Sequence, residues 1–204
     1  MHQLTPALIA DGVLFLLGAF LVAAVCSDLK SRRIPNKLVL AGIGAGCALN
    51  SVLPEGNGFL SALPGAAGIG AALAGLATGF CLMLPMYLLR ALGAGDVKLF
   101  AMTGAFLGAE AMLPVVLATL IAGGALSLVV AIHADRLRRL ADNLRTMLLA
   151  SYFKLAMNEM PAFSAMPEPA GKMPYGVAIA AGTLICIAIR RGGVELPWFA
   201  SVFQ

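Results

Sequence analysis

Two aspartates are the strongest candidates for chemistry in this sequence, because each lies where an apolar run meets a polar segment. Asp28 ends one apolar run and is followed by the basic segment Leu29–Asn36. Asp96 opens another apolar run, directly after Gly93-Ala94-Gly95. Ionisable groups beside membrane spans are energetically costly, and they therefore mark candidate functional sites.

A pair of carboxyl groups can hydrolyse a peptide bond when both reach one water molecule. Two carboxylates about 3 Å apart cannot both ionise, so they share one proton. The ionised group then takes a proton from water, and the protonated group gives one to the amide. The two histidines, His2 and His133, have no histidine four residues away and no nearby cysteine, so neither a metal site nor a Ser/His/Asp set is predicted. No cofactor is predicted.

The ends of the predicted helices favour different roles for the two aspartates. Asp96 begins a helix, where the macrodipole favours the charged form, and Asp28 ends one, where it favours the protonated form. This predicts Asp96 as the resting base and Asp28 as the resting acid. Gly93 and Gly95 can adopt positive φ and leave the backbone bare, so an extended substrate could approach Asp96 closely.

Structural roles are the alternative for each aspartate taken alone. Asp28 would then be a boundary residue paired with Lys30 or Arg32, and Asp96 would be a helix N-cap. The shared depth of the two carboxyl groups and the glycines beside Asp96 favour the catalytic interpretation.

The composition predicts a membrane protein with a single domain, residues 1–204. Hydrophobic residues make up 60% of the chain and charged residues 12%, whereas soluble domains carry roughly 45–50% and 25%. The net charge of +4 does not indicate a nucleic-acid partner, because the basic residues lie in short loops where they set membrane orientation. The four cysteines lie singly within apolar runs, so we expect them to be free and buried.

Six apolar runs predict an all-α fold, a polytopic bundle of about six transmembrane helices, since one span takes about 20 apolar residues. The predicted spans are Leu4–Ser27, Leu38–Leu53, Ala62–Leu89, Val97–Leu107, Met112–His133 and Tyr175–Ile189. The many glycines, for example in 65–79, predict helices that approach one another closely.

Basic residues predict the orientation of the bundle. The junctions after the first, third and fifth spans hold 12 of the 14 Lys and Arg, and these junctions share one face. The positive-inside tendency places this face, with Asp28 and Asp96, in the cytoplasm. Arg190 and Arg191 follow the last span and depart from the pattern.

The segment 135–172 differs from the apolar runs. Leucines recur at helical spacing within Asp135–Met160, which predicts an amphipathic helix on the cytoplasmic surface, followed by a proline-containing linker. A cytoplasmic helix packed on the bundle is the alternative.

Around the two aspartates the sequence resembles the type IV prepilin peptidases, membrane aspartic proteases of the GxGD type. The resemblance is carried by Asp28–Asn36, by Gly93-Ala94-Gly95-Asp96-Val97-Lys98 and by a proline-led segment that opens the last span, Met173–Gly182. It extends over most of the chain, from about Phe15 to Gly182.

The resemblance implies that Asp28 and Asp96 are the catalytic pair, with Gly93 and Gly95 shaping the turn. It implies cleavage of a short basic leader from type IV prepilins, at the cytoplasmic face of the bacterial inner membrane. The compact chain is similar to the peptidases of tight-adherence (Flp) pilus systems. Paired CxxC motifs of longer relatives are absent from the sequence, so N-methyltransferase activity is not predicted.

Two other functions remain open from the sequence. One is a small transporter or channel that uses the two aspartates as proton or cation sites. The other is a noncatalytic assembly protein of a pilus machine, in which the aspartates are structural.

Overall fold

The computed structural model describes residues 4–133, apart from 62, 90 and 91, together with 142, 145, 146, 149 and 175–192. Six helices form most of this part of the chain: α1 Leu4–Ser31, α2 Asn36–Val52, α3 Gly68–Leu88, α4 Ala94–Leu107, α5 Ala109–His133 and α6 Tyr175–Arg191. The described residues contain two isolated β-bridges and no strand. The prediction of an all-α bundle is therefore confirmed.

Three of the helices are long and apolar enough to cross a membrane. They are α1, α3 and α5, over residues 6–31, 68–88 and 109–130. Large apolar side chains point away from the bundle, with Phe15 82%, Leu40 71% and Ile121 74% exposed. A bilayer is the solvent that suits such a surface, and the protein is a membrane helix bundle.

Successive helices run in opposite directions. One end of the bundle, here called the aspartate end, collects the end of α1 and the starts of α2, α4 and α6. Two hydrogen bonds join these elements, from the Gly176 amide to Asp28 and from Lys98 to Asn36. The order of the helix ends agrees with the predicted alternation of spans.

At the opposite end, an ion pair joins the first and last of the described helices. Arg191 of α6 contacts Asp11 of α1 at 2.6 Å. Arg191 is one of the two basic residues that departed from the predicted charge pattern. Its carboxylate partner offsets the positive charge at that end.

The α4 helix is the centre of the bundle. From Val97 to Leu107 every residue except Lys98 is buried. Glycines allow α3 to lie directly against α4, because a Cβ at Gly75 would overlap the carbonyl oxygen of Gly104. On the α2 side, a Cβ at Gly46 would lie 3.0 Å from the backbone carbonyl of Ala105. The prediction that small residues bring the helices close is confirmed at these positions.

The connection between α2 and α3 was predicted incorrectly. The third span was expected to begin at Ala62, but α3 begins at Gly68. The described residues between α2 and α3, 53–61 and 63–67, form an irregular loop that folds back on itself through the bridges Glu55–Ala66 and Gly58–Gly65. Apolar residues of this loop belong to the core of the bundle, since Phe59 is completely buried and Ala66 is 3% exposed.

Asn50 holds this loop in place. The side chain is 3% exposed, and its Nδ2 donates to the carbonyl of Ala105 at 3.0 Å. Its Oδ1 accepts from the backbone amide of Ala67 at 3.2 Å. One buried amide therefore connects α2, α4 and the loop that leads into α3.

The four cysteines are free, as predicted, but only Cys186 is buried, while Cys26 and Cys81 are exposed. The expectation of burial failed because an apolar run on a membrane helix also supplies the face that meets lipid. The predicted amphipathic helix, Asp135–Met160, lies outside the described residues, apart from four helical positions between 142 and 149.

Candidate active site

Asp28 lies in the last turn of α1 rather than after the helix, since α1 continues to Ser31. Its side chain is 8% exposed. The Oδ2 atom accepts a hydrogen bond from the backbone amide of Gly176, in the first turn of α6, at 3.0 Å. A Cβ at position 176 would lie 3.0 Å from that oxygen, so glycine permits this approach.

The chain turns sharply after Asp28 and leads into α2. The amide of Arg32 donates to the carbonyl of Asp28 at 2.8 Å, and Arg32 adopts the left-handed conformation with φ 53°. Glycine is the usual residue for such a helix end. The Ser27 hydroxyl donates to the Arg33 carbonyl at 2.9 Å, which holds the linker 32–35 against α1.

Asp96 is the third residue of α4. Its Oδ2 accepts from the amide of Gly93, the N-cap residue, at 3.1 Å. This contact is the reverse arm of a capping box, so Asp96 supports the start of its own helix without being the N-cap. The alternative role of Asp96 as a helix cap is therefore present, but Asp96 acts from the third position of α4 and Gly93 is the N-cap.

The expected positive φ at Gly93 and Gly95 is wrong. Gly93 is extended, with φ −79° and ψ 153°, and Gly95 is helical. Because they lack a side chain, the two glycines instead leave space for neighbouring side chains. A Cβ at Gly95 would lie 3.3 Å from the Cβ of Ile34, in the linker after α1, and one at Gly93 would lie 3.2 Å from Asp96 Oδ2.

The two aspartates interact through their charges. Burial raises the pKa of the Asp96 carboxyl to about 6, the Gly93 hydrogen bond opposes this rise, and the charge of Asp28 adds to it. The effect of the helix terminus is thus outweighed by burial. An aspartate with this pKa is still largely ionised at neutral pH, and it is a stronger base than an ordinary aspartate.

The geometry therefore unites the sequence-predicted residues at the aspartate end. Asp28 and Asp96 come from separate helices, and each carboxyl has one oxygen bound by a backbone amide. Two such carboxyl groups can divide the work of proton donor and proton acceptor. The amide of Gly93 binds Asp96, and the missing side chain of Gly95 leaves room for Ile34.

Sequence reasoning gave no role to Gly176. In the sequence, Gly176 is visible only as a glycine of the proline-led segment that opens the last span. Its importance depends on a contact between residues 148 positions apart in the chain, and no local pattern reveals such a contact.

Comparison with known families agrees with the geometry. The type IV leader peptidase family matches residues 15–128, which is more than half of the chain. The chain belongs to the type IV leader peptidase family. The matched range contains Asp28 and Asp96 and ends before α6. No curated protein and no solved structure matches the chain. Membership supports a leader-peptidase-like function in a membrane.

Proposed function

We propose that this protein is an aspartic endopeptidase that removes the short leader peptide from type IV or Flp-type prepilins. The observation that carries the proposal is the pairing of Asp28 and Asp96 at one end of the bundle, where the charge of one raises the pKa of the other. The family match supports peptide hydrolysis. The Flp-type substrate rests on the sequence resemblance.

Backbone hydrogen bonds orient both carboxyl groups. Backbone amides bind Oδ2 of Asp28 and Oδ2 of Asp96, and each carboxyl keeps further acceptor sites for a water molecule. One of the two carboxyl groups, in its ionised form, takes a proton from the water as the water oxygen attacks the scissile carbonyl. The other, in its protonated form, gives its proton to the leaving amide nitrogen. The burial of Asp28 and the partial burial of Asp96 strengthen the electrostatic interaction between the two carboxyl groups.

The orientation in the bacterial inner membrane is part of the proposal. Three basic residues lie at the aspartate end: Lys30 in the last turn of α1, Arg33 in the linker 32–35 and Lys37 in the first turn of α2. The positive-inside tendency favours the cytoplasm for that end. Reporter fusions within the α1–α2 linker and within the loop 53–67 test this, and a periplasmic signal from the linker would contradict it.

Cleavage by purified protein tests the catalytic assignment. A prepilin in detergent or proteoliposomes should lose its leader, and the mass of the product gives the cleaved bond. We expect Asp28→Asn and Asp96→Asn each to reduce the rate by at least about 1,000-fold, because each removes one of two cooperating proton-transfer groups.

The matched control for this experiment is Glu55→Gln, which changes an exposed acid on the loop at the opposite end. It should cleave at the normal rate, and all three variants should accumulate in the membrane. Normal cleavage by both aspartate variants would overturn the proposal. Co-expression with individual prepilins then identifies the preferred substrate.

A further inference from the structure

Lys98 makes a contact between the segments that carry the two aspartates. It lies two residues after Asp96, and it is the exposed residue of the otherwise buried stretch of α4. Its Nζ donates to Oδ1 of Asn36 at 3.0 Å. Asn36 is the first residue of α2 and directly follows the linker that begins after Asp28.

The linker 32–35 is therefore attached on two sides. Toward α1, the Ser27 hydroxyl donates a hydrogen bond to the Arg33 carbonyl at 2.9 Å. Toward α4, the Ile34 side chain contacts the position of Gly95, and the bond from Lys98 fixes the end of the linker. This gives a continuous connection from Asp28, through the linker, to the helix of Asp96.

We propose that Lys98 is a positioning residue, whose hydrogen bond to Asn36 sets the placement of Asp96 relative to Asp28. The inference rests on the proposed function, in which these aspartates are the catalytic pair. Residues two apart on a helix do not face each other, so the Lys98 side chain leaves α4 on a different side from Asp96. Lys98 acts through the linker and does not touch the reacting atoms.

An exposed hydrogen bond of this kind contributes little to the stability of the fold. Catalysis is more sensitive, since a displacement of about 1 Å at a reacting group can cost on the order of 100-fold in rate. Loss of the bond should therefore lower the turnover number while the bundle remains folded.

A double-mutant cycle separates this role from a direct effect of the lysine charge. Lys98→Met removes the donor and keeps the chain length, and Asn36→Ala removes the acceptor and keeps the charge. We expect each to lower kcat by on the order of 10- to 100-fold, with KM and the shape of the pH profile unchanged. Because both remove the same bond, the double variant should lose no more than either single variant.

Conservative variants test for rescue. Lys98→Arg keeps a charged donor, and Asn36→Asp keeps an acceptor, so both should retain most of the activity. Melting temperatures in detergent should match the wild type for all of these variants. A loss of activity that follows a loss of folding would contradict the positioning role and show a structural one.

The outcomes distinguish this inference from the proposed function. Full kcat in Lys98→Met or in Asn36→Ala, or losses that multiply in the double variant, would overturn the inference alone, provided that Asp28→Asn and Asp96→Asn are inactive. Normal cleavage by the two aspartate variants would overturn the proposed function itself.

Discussion

Asp96 is subject to two opposing influences on its charge. Its place in the first turn of α4 favours the carboxylate, whereas burial favours the neutral acid and dominates, giving a pKa of about 6. The helix terminus was visible in the sequence, and the burial was not. The sequence therefore singled out Asp96 and the glycines before it, while the magnitude of its basicity depends on the packing of the helices.

The pH dependence of cleavage should report this pKa. If Asp96 is the base, it must be ionised, so kcat/KM should fall as the pH decreases through about 6. With a base of ordinary aspartate pKa, cleavage would instead persist down to about pH 4. The measurement is kcat/KM across this range, with melting temperatures at each pH as the control for unfolding. Activity that rises on acidification through pH 6 would assign Asp96 as the acid.

Gly176 gives a prediction of its own at the residue scale. A side chain there would lie 3.0 Å from Oδ2 and 3.3 Å from Cβ of Asp28, so Gly176→Ala should displace the carboxyl and reduce kcat by on the order of 10- to 100-fold. The control is Gly124→Ala on α5, where nothing lies within 4 Å of the added Cβ. Equal activity in both variants would show that Asp28 tolerates a side chain at position 176.

The helices themselves were largely predictable from apolar runs. The predicted and observed ends of α4, α5 and α6 differ by three residues or fewer. The error at the start of α3 arose because the glycines and prolines of the loop 53–67 are accompanied by apolar residues. Hydropathy does not distinguish an apolar loop packed on the bundle from a membrane span. Similarly, the sequence shows that glycines are frequent, but not which of them face another helix.

The contact between α3 and α4 gives a prediction at the element scale. Gly75→Ala would place a methyl group against the backbone of Gly104, and backbone cannot move aside as a flexible side chain can. We expect a loss of about 1–3 kcal/mol in the free energy of unfolding. Denaturant unfolding in mixed micelles measures it.

The matched control is Gly70→Ala in the same helix, where the added Cβ would meet nothing within 4 Å. It should be neutral or stabilise the protein by up to about 1 kcal/mol, since alanine is the better helix former. Equal stability of the two variants would contradict the close packing of α3 on α4.

At the scale of the whole molecule, α1 and α6 are joined near both ends. Asp28 meets Gly176 at the aspartate end, and Asp11 meets Arg191 at the other. At 1.5 Å per residue, the two contacts are about 25 Å apart along α1 and about 22 Å apart along α6. Charge patterning predicted the alternation of the helices. The partner of Arg191 could not be predicted, because it depends on which helices are neighbours.

The ion pair between Asp11 and Arg191 can be tested by exchanging its charges. Asp11→Arg alone places two cations together and should lower stability by about 0.5–1 kcal/mol, since both side chains are partly exposed. Adding Arg191→Asp should recover most of this loss. Thermal unfolding in detergent at low and high salt measures the difference, and an additive effect of the two changes would contradict the pairing.

The adjacency of α1 and α6 also has a consequence for biosynthesis. As the nascent chain leaves the ribosome, Asp28 enters the membrane with α1, and Asp96 follows with α4. The amide of Gly176 that binds Asp28 belongs to α6, which emerges later than both aspartates. A translation intermediate that ends before α6 therefore contains the complete carboxyl pair without its orienting contact. Proteolytic competence would then be acquired only when α6 inserts beside α1.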